Sequence, residues 1–384
     1  MALGMACTAP VAAQAPDWSQ AARQRLFAPP GSIPADVFAL RNQALAEGER
    51  WLASGDTVAA LAAFDRAAMM LHAPDTEAAL VRGQMQAGRY GHALAFGAHA
   101  AGAHRREWPA GMALYAWLLQ MGGQGVVARR FLDESLALAP DDAALRQARY
   151  QLAQPWPRSE GLLLVPPLQV APYAVGAEVP PTARCVGTAL LVQGGSAALV
   201  PADLLGSPPA VTLWVRNGLG QTMAAVPESD HPAVGLVLLR LQAALPAATL
   251  ASAVREPFGG SPGAMVEFAP GDASAQWPLL RQGFFARIGS APGPRHLGID
   301  APNGPRGGPV FDRAGQLAGM AVTGADGVDR LIGVAALVAR FGAGLWAAPG
   351  AASPAESSPR PGAGLEAVYE QALPVTLQVL LPAR

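Results

Sequence analysis

Lysine is missing from this sequence of 384 residues, so all 27 basic side chains are arginines. Charge of either sign is scarce, at 14% of residues with a formal balance of -1. A nucleic-acid surface or an anionic-lipid patch needs clustered cations, so neither is expected. Cysteine is nearly absent as well: Cys7 and Cys185 are the whole complement, too few for a disulfide framework or a thiolate zinc site. The six histidines are scattered without ligand spacing, and no metal or cofactor is expected. Long apolar runs are lacking too. The best, Val234 to Val254, is broken by Arg240, Gln242 and Pro246, so no stretch reaches the roughly 18 uninterrupted apolar residues of a spanning helix.

Hydrophobic residues make up 51% of the chain, ample for buried cores, and the length suits more than one domain. Residues 1–15 are small and apolar and end in an A-x-A-like step at Ala13 and Ala15. They read as a signal peptide without its positive start, so a periplasmic or secreted protein is expected, with a cytoplasmic one as the alternative. Cys7 has Gly4 three residues before it, not Leu, which argues against a lipid-anchored cysteine. A linker over 16–40 follows.

Residues 41–154 are rich in Ala and Leu and read as helices, with an internal period. Gly55, Gly88 and Gly123 are 33 and 35 residues apart, and each is followed five residues later by Ala60, Ala93 and Ala128. Gly48, Trp51, Phe64, Tyr90, Trp117, Leu132 and Pro140 fall in register. A turn glycine lets two helices reverse tightly, and the small alanine lets them pack closely. This pattern resembles the tetratricopeptide family, with about three repeats and a capping helix. The resemblance implies an α-helical solenoid whose concave groove is lined by Asn42, Leu45, Glu49, Arg82, Met85, Trp117 and Gln120. Of these, Met85 and Trp117 read equally well as core between repeats.

Pro155 and Pro157 end the helical texture. Residues 160–346 then carry short Val- and Leu-rich runs broken by Gly and Pro, the texture of an all-β barrel or sandwich. Residues 347–364 are a Pro/Ala/Ser/Gly linker, and 365–384 read as a helix and a strand.

Three runs in the β region stand in a telling order: Cys185-Val-Gly-Thr to Ala198-Leu-Val-Pro-Ala-Asp203, then Asp230-His-Pro-Ala-Val-Gly-Leu-Val-Leu-Leu-Arg240, then Gly304-Pro-Arg-Gly-Gly-Pro309. Together they resemble trypsin-like serine proteases of the HtrA type. The resemblance implies a double β-barrel, so the chain is expected to be multidomain, α-helical first and all-β second. It also places the three catalytic positions. The general base falls on Asp203, the residue that orients it on Gly235, and the nucleophile on Arg306, with Gly304 in the former oxyanion region.

Acyl transfer needs a nucleophile, a base and a group that fixes the base. A guanidinium stays protonated and cannot attack, and glycine has no side chain with which to orient anything. The expectation is therefore a non-catalytic scaffold that binds a protein or an extended peptide. The alternatives are a serine-type hydrolase with non-standard residues and a regulatory pseudo-protease that docks on an active relative. An Asp203–Arg306 ion pair would plug the old site. Gly259-Gly-Ser261-Pro-Gly263 matches G-x-S-x-G as a string, but it reads as a loop, as do the surroundings of His231 and His296. The segment 365–384 resembles the stretch that opens an HtrA-type domain, although it lies at the end of this chain. It is expected to complete the first barrel, in this molecule or by self-association with a neighbour, since an unpaired apolar strand is an aggregation hazard.

Overall fold

The computed structural model describes residues 34–71, 73–157, 175–206, 212–231, 235–246, 250–253, 255–287, 295–302, 304–324, 326–346 and 364–383. The signal segment, most of the 16–40 linker and nearly all of the 347–364 linker lie outside them.

Helices come first: α1 (Ala35–Ala53), α2 (Thr57–Met70), α3 (Pro74–Gln86), α4 (Tyr90–Ala103), α5 (Pro109–Met121), α6 (Gly125–Leu138) and α7 (Ala143–Leu152). α1 begins inside the segment read as linker, which moves that boundary from 41 to 35. Pro34 holds the chain extended at the cap, and Asp36 in the first turn faces the positive helix end. The three repeat glycines all sit in the left-handed region, with φ of 84°, 74° and 82° at Gly55, Gly88 and Gly123. Each closes its helix in the same way. In the second turn Gly88 N donates to Met85 O at 2.9 Å and Arg89 N to Gln84 O at 2.8 Å. This paired arrangement satisfies carbonyls that the helix end would otherwise strand. Ala60, Ala93 and Ala128 are fully buried where the helices meet.

The β region forms two sheets. The first contains β1 (Val175–Gly176), β2 (Arg184–Val192), β3 (Ala197–Pro201), β4 (Leu213–Asn217), β5 (Gln221–His231) and β6 (Leu236–Leu241). The second contains β7 (Pro262–Glu267), β9 (Leu279–Phe284), β10 (Arg295–His296), β11 (Pro309–Asp312), β12 (Leu317–Thr323) and β13 (Asp329–Gly333). The two-residue β8 (Gly271–Asp272) reaches back to pair with β2. Two helices, α8 (Val334–Phe341) and α9 (Leu365–Ala372), precede the last strand, β14 (Thr376–Leu381).

β14 lies between β4 and β2, antiparallel to both. Because β5 also pairs with β6, the ring β5-β4-β14-β2-β3-β6 is closed. The second sheet runs β10-β13-β12-β11-β7-β9, and Phe284 N, at the end of β9, donates to Gly298 O just beyond β10. A helical array followed by two barrel-like sheets, the first an antiparallel ring of six strands extended by β1 and β8 and the second six antiparallel strands, gives a multidomain α and β architecture. Since β14 is paired on both edges within its own chain, it offers no free edge for self-association.

One continuous core runs from Met85, Tyr90 and Trp117 through Val368 and Tyr369 of α9 into both sheets. α9 is the joint. The Tyr90 and Tyr369 rings meet edge to face at 4.7 Å, and Tyr369 Oη donates to Pro278 O at 2.6 Å. Gly91 N, in the first turn of α4, donates to Glu370 Oε1 at 2.7 Å, so a carboxylate answers that helix's positive end. The repeat turns dock as well: Gln282 Nε2 donates to Gly123 O at 2.6 Å, and Gln86 Nε2 bonds Leu219 O.

Candidate functional site

The three positions singled out by sequence come together where the barrels meet. Asp203 lies in a short 3₁₀ turn, Ala202–Leu205, directly after β3. Ala202 N donates to Gly235 O at 2.9 Å, which pins that turn to the start of β6. Across the seam, Thr188 N on β2 donates to Arg306 O at 2.7 Å. A β-carbon on Gly187 would lie 2.5 Å from Leu204 Cδ1 and 2.9 Å from Arg306 O, so only glycine lets the two loops approach this closely. Gly307, at φ 92°, is similarly confined: a β-carbon there would stand 2.2 Å from Thr188 O.

No ion pair joins Asp203 and Arg306 among the described residues, so the expected plug is not formed. Asp203 is exposed and Arg306 half-buried. Instead the loop is tied to a residue that the sequence reading passed over. Glu267, the last residue of β7, is fully buried. Its Oε1 accepts from Arg306 N at 2.7 Å and from Gly308 N at 3.2 Å. Burial pushes the Glu267 carboxyl up to about 7, while those two amides and the nearby Arg281 and Arg306 charges pull the other way. Its second oxygen has no hydrogen-bond partner. The signal for this residue was a single carboxylate inside the apolar run Ala264-Met-Val-Glu-Phe-Ala, since glutamate is seldom fully buried without partners.

In the serine-protease pattern an oxyanion is held by the nucleophile's own amide and by the amide two residues before it. The sequence resemblance puts those amides at Arg306 and Gly304. The first donates to Glu267, and the second donates to Ala301 O at 2.8 Å. Neither is free for a substrate carbonyl.

The Cys185 thiol and the Thr188 and Ser261 hydroxyls are no better placed as nucleophiles. The Cys185 thiol is buried and pushed up to about 12, chiefly by desolvation. Thr188 Oγ1 is sealed in and accepts from Phe268 N at 2.9 Å. Ser261 sits in the turn before β7, and among the described residues no histidine is hydrogen-bonded to it. His231 and His296 lie in β5 and β10, not in loops.

The groove residues divide. Asn42, Leu45, Glu49 and Gln120 are half-buried. Arg82 is buried and paired with Glu49. Met85 and Trp117, 0% and 1% exposed, are closed into the core and cannot line an open groove, because the neighbouring helices cover them.

No family model and no curated protein matches this chain. Among solved structures, it is similar to the MamO protease domain from Magnetospirillum magneticum, at 21% identity over 42% of this chain and 96% of that one, with a TM-score of 0.30. An inactive-form structure of the Rv3671c protease from M. tuberculosis shares 16% identity over 44% of this chain and 96% of its own, with a TM-score of 0.30. The HtrA-type protease AlgW with a decapeptide shares 18% over 41% of this chain, which spans half of AlgW, at a TM-score of 0.32. Similarity at this level adds no argument, and the fold stands on strand order and closure.

Proposed function

We propose that this chain is a non-catalytic protein- or peptide-binding scaffold, in which tetratricopeptide-like repeats and a trypsin-like barrel pair hold a partner without cutting it. One observation carries the reading: an arginine stands at the nucleophile position, and its amide is already consumed by the buried Glu267 carboxylate. Both the attacking atom and the cradle for developing negative charge are thereby lost, and the second is ordinarily among the largest contributions to such catalysis. In this reading the protein is exported and acts outside the cytoplasm. Among the described residues no helix is long and apolar enough to cross a membrane.

The test is to incubate the purified full-length chain with a serine-reactive fluorophosphonate and with labelled unfolded casein. No labelling and no turnover are expected, together with saturable retention of casein or of its peptides. Turnover that persists through repeated purification and disappears in Ser261→Ala would overturn the proposal.

A further inference from the structure

A buried charge needs partners, and Arg216 is short of them. It lies on β4, only 4% exposed, between Thr222 of β5 and Gln378 of β14 in the strand register. Its Nε donates to Thr222 Oγ1 at 3.0 Å. Its Nη1 donates to Ala273 O at 2.7 Å and to Gln378 Oε1 at 3.3 Å. All three acceptors are neutral, and among the described residues no carboxylate pairs with the guanidinium. Burial pulls the Arg216 pKa down, as expected for a charge held away from water.

The guanidinium has five donors. Three are spent, and they fix its plane; among the described residues the two on Nη2 have no acceptor. Arg216 also lines a cleft of about 580 Å³. That size suits a small ligand. The cleft is walled by residues 176–181 and 272–274, with Val179, Pro180 and Pro181 supplying an apolar face. Glu178 and Asp272, both exposed, also line it.

The geometry points to a binding site for a monocarboxylate in this cleft, with the anion on Nη2 of Arg216 and an apolar body against Val179 and the two prolines. With Nε and Nη1 committed, the carboxylate is taken through Nη2 alone. The Glu178 carboxylate on the rim selects against phosphate and dicarboxylates, whose further negative charge meets like charge. The carboxylate belongs either to a small free acid or to the C-terminus of a peptide. This inference does not depend on how the Arg306 loop is read.

The experiment is calorimetric titration of the full-length chain with N-acetyl-leucine and its amide, with a tetrapeptide as free acid and as C-terminal amide, and with inorganic phosphate. Acids are expected to bind about tenfold more tightly than their amides, the loss of one charge-assisted bond, and phosphate more weakly than either acid. Arg216→Gln removes the preference for acid over amide. Because Arg216 also ties β4 to β14, Glu178→Gln on the exposed rim provides a variant that keeps the fold. It should tighten acid binding about two- to threefold and leave the amide unchanged. Tetrapeptide acid binding at least as well as N-acetyl-leucine identifies a chain terminus as the source, and binding of N-acetyl-leucine alone identifies a free acid. Equal affinity for acid and amide, no binding of any acid, tighter phosphate, or acid binding indifferent to both substitutions overturns the site.

Discussion

The two barrels have the same kind of sheet but different chain economies. The second is assembled from the nearly continuous run between Pro262 and Gly333. The first takes its strands from Val175 to Leu241 and then waits for β14, which arrives only after the whole second barrel and α9 have been made. Closing so long a loop costs entropy before any contact rewards it, and non-local pairing slows folding. The first barrel is therefore hostage to the last residues of the chain, and the second is not. α9 extends that dependence to the helical array, since the same segment carries Tyr369 and Glu370 against α4.

The largest expected effect follows from that dependence. Removing 365–384 should expose the amides of β2 and β4, whose partners are then gone, while β11 to β13 stay protected. The loss is comparable with the whole stability of a domain, about 5–15 kcal/mol. Hydrogen exchange followed peptide by peptide reads it, and equal protection in the two sheets of the truncated chain would erase the contrast between the barrels.

The seam where the barrels touch gives the next test. Gly307→Ala adds a β-carbon at φ 92° and 2.2 Å from Thr188 O, and should cost about 2–4 kcal/mol in urea unfolding. Gly235→Ala, at φ 65° with nothing within 4 Å, should cost only about 1 kcal/mol. Similar losses in the two variants would mean that the seam is not tightly packed.

Glu267 makes the same seam sensitive to pH. With its carboxyl raised from 4.5 to about 7 in the fold, the folded state binds more protons than the unfolded between those values. Stability from this group is complete below the unfolded value and is lost as pH rises through about 7, by on the order of 3 kcal/mol. Thermal unfolding from pH 5 to 8 should show that decline in the native chain and a much flatter profile in Glu267→Gln. A rise with pH instead would show that the carboxylate is held ionised.

The smallest effect compares repeat turns. Gly55→Ala takes on a left-handed φ of 84°, which alone should cost about 1 kcal/mol. Gly123→Ala also meets Leu280 Cδ2 at 2.4 Å, so its loss should exceed that of Gly55→Ala and should loosen the docking of helices on the second barrel.

Legibility followed locality. The period of the turn glycines and their partner alanines was readable because φ near +80° and the space for a methyl group are properties of a few neighbouring residues. The boundary at 41 was misplaced because α1 owes its start to Pro34 and Asp36 and not to the repeat pattern. Met85 and Trp117 sit on the register of a groove, yet packing decides which face of a helix is covered, and periodicity cannot separate a groove from a core. The Asp203–Arg306 pair was plausible from position alone. In the structure Asp203 is exposed and unpaired with Arg306 among the described residues, and the Arg306 loop is tied instead through its amide to Glu267, a residue from another strand.

By itself, the sequence determined that three helical hairpins turn on Gly55, Gly88 and Gly123, that a β-rich region follows, and that an arginine stands at position 306. Those are consequences of backbone dihedrals, strand periodicity and side-chain chemistry, each decided within a short span of chain. Only the tertiary structure decided that β14 enters between β2 and β4, that Glu267 occupies the amide of Arg306, and that Arg216 is buried with no counter-charge among the described residues. Each of these depends on strands far apart in sequence sharing hydrogen bonds and excluding water, and no local run of residues encodes such a meeting.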